Sequence, residues 1–286
     1  MRVTDTHVHF WDPRIIAYPW LQGIPALHKP RLPKHLNGAS PVEKMVVIEA
    51  DCSPEQAYEE ALWLQAQAQL EPRIGAVVAA VQLENEARLP GELERLRALP
   101  LVRGVRRSFQ SLPGGALTSP AMISGARKAA AAGLLFEATV RSGQLRELAE
   151  FARQVPELTI VLDHLGKPPV ASGAVPEWAA DLEQLAALPN IWIKISGLAP
   201  EARPGEPLVP QLRPFLAAAV GIADPQRLLL GSDWPVSTAR NPQDTYSQWW
   251  SLLLEDTLSV LSTPDRDAAA RGNAERLYME AGTTNA

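Results

Sequence analysis

The sequence predicts one (β/α)8 barrel, a single domain over residues 1–286 with its active site at the carboxyl ends of the strands. Eight apolar, strand-like runs alternate with helical segments, which indicates a parallel sheet. The length suits a fold that usually needs about 250 residues. His7 and His9 stand on the first run and Asp233 follows the last, so a closed barrel would bring the three side chains to one mouth.

Strands are predicted where apolar residues run continuously, because parallel strands in a barrel are covered by helices on their outer side. The eight predicted strands are Arg2–Phe10, Lys44–Ala50, Arg73–Leu83, Val102–Phe109, Gly133–Val140, Leu158–Gly166, Ile191–Gly197 and Arg227–Pro235.

Helices are predicted between the strands. The first begins at Ser53-Pro54-Glu55-Gln56, where a capping serine precedes a proline at the first helical position and a glutamine follows three residues after the cap. A last helix begins at Thr263-Pro264-Asp265 and runs through Leu277. The six helices between these two are predicted at Ala87–Ala98, Pro120–Ala132, Gln144–Val155, Glu177–Leu188, Pro210–Val220 and Thr245–Leu254.

Two connections are unusually long for a compact domain. Residues Trp11 to Glu43 follow the first strand without a clear helix, and Leu198 to Pro210 follow the seventh. Loops of this length are usually functional or disordered. Both follow strands and would lie on the catalytic face, so we expect them to cover a substrate rather than to serve as decoration or an oligomer contact.

Composition excludes several classes of protein. A net charge of −5 and a pI near 5.6 argue against nucleic-acid binding. The sequence contains no run of roughly 18 apolar residues, so no membrane span is predicted, and no signal peptide is visible. The single cysteine, Cys52, excludes an internal disulfide and suits a reducing compartment, so a cytoplasmic location is expected.

His7 and His9 give the sharpest chemical signal. Side chains at i and i+2 of a strand share a face, so both imidazoles should point to one place. Asp233 lies in Gly231-Ser232-Asp233-Trp234-Pro235 after a fully apolar run, where a carboxylate could deprotonate a water or bind a metal. A turn-capping role for Asp233 is the alternative.

Asp163 and His164 follow the sixth apolar run. Strand parity places their side chains on opposite sides, and we expect His164 to face inward and Asp163 to face outward or toward a neighbouring strand. A pair that only starts a helix is the alternative.

Several charged residues interrupt the other strands. Lys194 lies inside a buried run, which is costly unless the ammonium is paired or faces a wet cavity. It could polarise a carbonyl or form a structural ion pair. Of Arg106 and Arg107, Arg106 is favoured as the one that enters the mouth. Glu137 and Glu49 are weaker candidates for functional side chains at the mouth.

Taken together, these motifs resemble the amidohydrolase superfamily, and within it the branch of sugar-lactone, pyrone-dicarboxylate and muconolactone hydrolases. The resemblance extends over nearly the whole chain and is in the family's order. The motifs that carry it are Asp5-Thr6-His7-Val8-His9-Phe10-Trp11-Asp12-Pro13, Tyr18-Pro19-Trp20-Leu21, Val102-Arg103-Gly104-Val105-Arg106, Leu162-Asp163-His164-Leu165-Gly166-Lys167-Pro168, Lys194-Ile195-Ser196-Gly197, Gly231-Ser232-Asp233-Trp234-Pro235 and Gly272-Asn273-Ala274-Glu275-Arg276-Leu277-Tyr278.

The resemblance implies either no cofactor or one divalent ion, zinc or manganese, on His7, His9 and Asp233. Metal-dependent members commonly add a histidine on strand five, and the predicted fifth strand has none. Binuclear members add a carboxylated lysine or a glutamate on strand four, where this chain has arginines. The resemblance therefore argues against two metals.

The activity that the resemblance implies is hydrolysis of a lactone to its hydroxy acid, with a sugar aldonolactone as the favoured substrate. Asp233 would act as general base, and His7, His9, His164, Lys194 and Arg106 would polarise the carbonyl. The residues expected to bind the substrate are Trp11, Tyr18, Trp20, Glu137 and Trp234.

Two other functions compete with this one. The first is a metal-dependent decarboxylase or hydratase of an aromatic-derived acid on the same barrel, and the second is a non-catalytic scaffold. The second predicts loss of a group from the mouth, whereas His7, His9, His164 and Asp233 are all present. The expected partner is a small-molecule lactone, and neither nucleic acid nor a membrane is expected to bind. The chain is expected to be a monomer or a homodimer.

Overall fold

The computed structural model describes residues 1–36, 40–240 and 246–280, and its eight parallel strands form one sheet in sequence order. The first and last strands meet at their carboxyl ends. There the backbone N–H of Asp233 donates to the carbonyl oxygen of His7 at 2.7 Å, and that of His9 donates to Trp234 at 2.8 Å. The predicted (β/α)8 barrel is confirmed.

All eight predicted strands are present, and most are a few residues shorter than predicted. Their bounds are β1 Val3–Val8, β2 Val42–Ile48, β3 Ile74–Ala80, β4 Val102–Ser108, β5 Leu135–Thr139, β6 Ile160–Leu162, β7 Ile191–Ile195 and β8 Leu228–Leu230.

The predicted ends of the sixth and eighth strands are wrong. β6 ends at Leu162 because His164 adopts a left-handed backbone with φ of 54°, and Asp233 does the same after β8. A residue in this conformation cannot continue a strand. The two turns place functional side chains at the mouth instead of extending the sheet.

Helices cover the outside of the barrel between the strands. Their bounds are α1 Ala57–Gln67, α2 Leu89–Arg97, α3 Pro120–Ala131, α4 Leu145–Gln154, α5 Val175–Ala186, α6 Leu208–Ile222, α7 Val236–Arg240, α8 Tyr246–Ser251 and α9 Thr263–Asp267.

The helix predicted to start at Thr245 corresponds to α8, and Thr245 itself lies outside the described residues. The last predicted helix is present as α9 followed by wide helical turns that reach Met279. No helix in the described ranges is long and apolar enough to cross a membrane.

Two apolar layers stabilise the barrel. One lies between the strands and the outer helices, and the other fills the lumen below the mouth. The lumen layer contains alternate residues of the strands, such as Val46, Val161 and Leu229, because successive side chains of a strand point to opposite faces. Ala274 and Tyr278, from the turns after α9, join this layer. The C-terminal segment therefore packs into the lumen.

The connection between β1 and β2 has no α-helix among its described residues, as predicted. It contains two short 3-10 turns, Pro19–Gly23 and Pro33–His35. Its own apolar cluster includes Trp11, Tyr18 and Leu21, all buried. This cluster anchors the loop against the mouth of the barrel.

Candidate active site

The two histidines of β1 meet at the carboxyl end of the barrel. Both are buried, and their Nε2 atoms are 3.1 Å apart. The Nδ1 of His9 lies 3.1 Å from the carbonyl oxygen of Ile48. Because a carbonyl can only accept, a neutral His9 carries its proton on Nδ1 and keeps a lone pair on Nε2.

Asp233 is aimed at these histidines by its left-handed turn. Its Oδ1 lies 3.4 Å from Nε2 of His9 and 3.9 Å from Nε2 of His7, while Oδ2 accepts from the Ser237 hydroxyl at 2.8 Å. Burial alone would raise the pKa of Asp233, but the neighbouring histidines, His164 first and then His9, hold it well below its usual range. Asp233 is therefore a carboxylate at neutral pH.

His164 lines the mouth as predicted, and its Nδ1 lies 2.9 Å from the hydroxyl oxygen of Ser196. Burial is the main cause that lowers the pKa of His164 to about 4, so this imidazole is neutral at neutral pH.

Asp163 does not point outward: its side chain points inward and reaches the neighbouring strands β5 and β7 at Thr139 and Lys194, which was the second alternative. Strand parity does not apply, since β6 has already ended at Leu162. Asp163 Oδ2 accepts from Nε of Arg106 at 2.8 Å and from the Thr139 hydroxyl at 2.7 Å. Burial favours a raised pKa for Asp163, but Lys194, His7 and Arg106 lower it well below the usual value. Asp163 is the anion that balances the cations of the site.

Arg106, the arginine favoured by the sequence, lines the cavity at the mouth. It is buried between two carboxylates, Asp163 and Glu49, and donates to both. Arg107 instead pairs with Glu84 at 2.6 Å, away from the histidines. Glu49 thus holds Arg106 in place.

Lys194 and Glu137 were expected at the substrate, and the structure places both deeper. Each is fully buried, and neither lines the cavity. The ammonium of Lys194 donates to Glu137 at 2.6 Å and lies 3.3 Å from Nδ1 of His7. His7 is also fully buried, behind His9. These three residues can act on a substrate only through the groups in front of them.

The expected aromatic wall is reduced to one side chain. Trp20 lines the cavity, with its indole N–H donating to the carbonyl of Ala50 at 2.7 Å. Trp11 is fully buried behind it, with ring centroids 5.5 Å apart. Tyr18 and Trp234 are also buried, in the loop cluster and beside Phe10. Trp11, Tyr18 and Trp234 are therefore packing residues, which sequence alone could not distinguish from Trp20.

The cavity at the mouth has a volume of about 470 Å³. Its walls include both long connections, through Trp20 on one side and Glu201 on the other. Several of its polar residues follow strands and could have been found by taking every polar side chain just after a strand end. The residues that sequence reasoning missed in this way are Asp51, Ser108, Gln110, Arg141, Lys167 and Glu201.

The donor atoms at the mouth fit one divalent ion. Nε2 of His7, Nε2 of His9 and Oδ1 of Asp233 lie 3.1, 3.4 and 3.9 Å from one another. Ligand atoms of a tetrahedral zinc with bonds of about 2.1 Å are roughly 3.4 Å apart. His164 joins His7 and Asp233 in a group whose ligand atoms lie within 4.8 Å, so it is a further possible ligand.

Comparison with known proteins places this site in a family. The sequence profile of the amidohydrolase family matches residues 4–279. An L-fucono-1,5-lactonase of Burkholderia ambifaria is 32% identical over 279 residues, which cover 96% of this chain and 94% of that protein. A second L-fucono-1,5-lactonase, of Burkholderia multivorans, is 31% identical over 292 residues, with 96% and 95% covered.

Solved structures agree with the sequence relatives. A crystal structure of an amidohydrolase from Burkholderia multivorans with bound zinc has a TM-score of 0.84 and 29% identity, over 97% of this chain and 99% of that one. Since the family profile and these relatives extend over nearly the whole described barrel, the chain belongs to the amidohydrolase family.

Proposed function

We propose that this protein hydrolyses a lactone to its hydroxy acid, with Asp233 as the general base. The observation that carries the proposal is an ionised carboxylate beside His9 and His164 at the wall of a cavity large enough for a sugar ring. A general base must be ionised and within reach of the proton that it takes. The names of the two Burkholderia relatives support a lactone as substrate.

The groups beside Asp233 supply hydrogen-bond donors for the carbonyl oxygen. If the Ser196 hydroxyl donates to Nδ1 of His164, the proton of that imidazole is on Nε2. The guanidinium of Arg106 lies in the same wall. Asp233 takes a proton from the attacking water, these donors stabilise the developing oxyanion, and Asp233 returns the proton to the leaving alkoxide.

The charges of the cavity favour a neutral, polyhydroxylated lactone over a dicarboxylate. Arg106 is balanced by Glu49 and Asp163, and Lys167 lies 3.3 Å from Glu201. A substrate with two carboxylates needs more than one unpaired cation, and among the described residues of the cavity wall Arg141 alone is a cation without a carboxylate partner. Hydroxyl groups need both donors and acceptors, which these ion pairs offer together. The proposed substrate is therefore a sugar aldonolactone.

We also propose that His7, His9 and Asp233, with His164 beside them, can hold one divalent ion, zinc or manganese. The spacing of their donor atoms supports this, and so does the zinc in the Burkholderia multivorans structure. When bound, such an ion would supply Lewis-acid polarisation of the carbonyl.

Replacing the general base tests the reaction. In Asp233→Asn, kcat on L-fucono-1,5-lactone should fall by about 10³-fold, because an amide cannot accept the proton. The melting temperature and circular dichroism spectrum check that the barrel stays folded. Asp224→Asn, at the opposite end of β8, is the matched control, since asparagine keeps the capping bond to Gln226. Near-full activity in Asp233→Asn would remove this role from Asp233.

A substrate panel tests the class of lactone. With a pH indicator, kcat/KM for neutral aldonolactones should exceed that for 2-pyrone-4,6-dicarboxylate by about 100-fold or more, which corresponds to about 3 kcal/mol. The panel is run with and without added zinc or manganese. Equal or better turnover of the dicarboxylate would contradict the neutral-substrate proposal while leaving the role of Asp233 intact.

A further inference from the structure

A column of buried polar groups runs through the lumen up to the histidines. Tyr278, from the C-terminal segment, donates its hydroxyl proton to Oε1 of Glu137. Oε2 of Glu137 accepts from the Lys194 ammonium at 2.6 Å. The same Nζ lies 3.2 Å from Oδ1 of Asp163 and 3.3 Å from Nδ1 of His7. All five side chains are fully buried.

The ammonium takes a position that a metal ion could otherwise occupy. The ligand atoms of His7, Glu137 and Asp163 form a group within 4.8 Å, as required of a metal site. Lys194 lies within 3.3 Å of an atom of each. It is thus a built-in cation directly beneath His7.

The groups at the two ends of this histidine pair each have a single hydrogen-bonding role. Lys194 can only donate, and the carbonyl of Ile48 can only accept. If Nδ1 of His7 accepts from Lys194, its Nε2 carries the proton and donates to Nε2 of His9, 3.1 Å away. Nδ1 of His9 then donates to Ile48. In this arrangement each of the two imidazole N–H groups has one acceptor.

The other tautomer of His7 requires a cation at the mouth. With the proton on Nδ1, His7 can donate to Oδ1 of Asp163, which is 3.3 Å away and also lies 3.2 Å from the ammonium of Lys194. Two lone pairs, on Nε2 of His7 and Nε2 of His9, would then face each other beside Asp233. That arrangement suits a metal, because a ligating imidazole nitrogen must be unprotonated and its other N–H commonly donates to a carboxylate.

We propose that Lys194 is a positioning residue that holds His7 in the Nε2-protonated tautomer and thereby weakens binding of a divalent ion at the mouth. Glu137 and Tyr278 keep its ammonium in place. Metal binding requires the proton of His7 to move from Nε2 to Nδ1, where Asp163 accepts its hydrogen bond. The inference rests on the proposed metal site and not on the identity of the lactone.

The tautomer can be observed directly by NMR. Long-range ¹H–¹⁵N correlation spectra of the ¹⁵N-labelled, zinc-free protein should show His7 protonated on Nε2, with assignment against a His7→Gln variant. Added zinc should move that proton to Nδ1. A zinc-free protein in which His7 is protonated on Nδ1 would overturn the proposal, whether or not the enzyme opens lactones.

Removal of the buried ion pair tests the effect on metal affinity. The double variant Lys194→Met/Glu137→Gln removes one positive and one negative charge, so the net charge beside the site does not change. The zinc Kd, measured by chelator competition, should fall about tenfold, the scale typical of changes in the partners of metal ligands. An unchanged or higher Kd would contradict the proposal.

A milder pair of variants guards against misfolding. Tyr278→Phe keeps every charge and should lower the zinc Kd by about threefold, since it removes one hydrogen bond to Glu137. Asn273 lies in the same C-terminal segment as Tyr278, and Asn273→Ala loses its hydrogen bonds to the carbonyls of Pro225 and Leu228. It should leave the His7 signals and the zinc Kd unchanged. Equal effects in both variants would mean that loosening of the segment, and not Lys194, controls the metal site.

Discussion

Asp163 and Glu60 are both fully buried carboxyl groups, yet their environments displace their pKa values in opposite directions. Asp163 lies in the lumen among Lys194, His7 and Arg106, which lower its pKa against the effect of burial. Glu60, on α1, accepts from the backbone N–H of Ala50 at 3.1 Å. Burial, followed by the nearby charge of Glu49, raises its pKa to about 8.

The difference shows how one fold can keep one acid charged and another neutral at equal burial. Desolvation alone favours the neutral acid, and cations within a few ångströms reverse the outcome. The charged acid lies beside the proposed chemistry. The neutral acid lies where the β1–β2 loop meets α1, next to Tyr18 and Cys52, and anchors the wall of the cavity without introducing a buried charge.

Isosteric amide variants should separate the two acids most strongly. Asp163→Asn should lower the free energy of unfolding by about 3–5 kcal/mol, because Arg106 and Lys194 lose a shared anion. Glu60→Gln should change it by less than about 1 kcal/mol at pH 6, because the acid is already neutral there. Urea denaturation measures both. Similar losses in the two variants would mean that the cations do not distinguish these acids.

Raising the pH should ionise Glu60 and thereby lower the stability of the protein. The folded pKa of Glu60 is raised above the ordinary value near 4.5, so its stabilising effect is complete below pH 4.5 and is lost as pH rises through about 8. Relative to Glu60→Gln, the wild type should lose about 2 kcal/mol of stability between pH 6 and pH 8. Parallel stability curves for the two proteins would contradict a raised pKa.

Lowering the pH should lower kcat/KM through protonation of His164 at the mouth, with a smaller effect. His164 has a pKa lowered to about 4, so it becomes an imidazolium beside Asp233 only below that pH. The ion pair between His164 and Asp233 would make the carboxylate a poorer proton acceptor. We therefore expect kcat/KM to fall by at most about tenfold per pH unit.

The lowered pKa of His164 also lowers the stability of the protein at acid pH. The folded protein binds fewer protons than the unfolded one between pH 6.5 and 4, so stability falls as pH falls through that window. Tryptophan fluorescence should therefore accompany each rate. A decline in kcat/KM already near pH 6.5, with the protein still folded, would show that His164 keeps an ordinary pKa.

The barrel could be predicted because its signals are local. Continuous apolar runs separated by amphipathic segments specify strands and helices wherever they stand, and all eight strands were found. The shared face of His7 and His9 follows from strand geometry alone, and their Nε2 atoms indeed meet.

The remainder of the site depends on tertiary structure. Asp163 points inward only because the chain leaves β6 and turns left-handed at His164, which no periodicity reveals. Lys194 was recognised as costly, but its partners Glu137 and Tyr278 lie far away in sequence. Among the aromatic residues of the β1–β2 loop, the path of the loop alone decides that Trp20 lines the cavity.

The anchoring of Trp20 has a consequence for how a substrate enters. The indole N–H of Trp20 donates to the carbonyl of Ala50, and its ring packs edge-on against Trp11, whose own N–H donates to the backbone carbonyl of Lys29 at 3.0 Å. A sugar ring that settles against this side chain would not have to immobilise it, so little conformational entropy is lost on binding. Affinity at this wall should depend on shape and hydroxyl pattern.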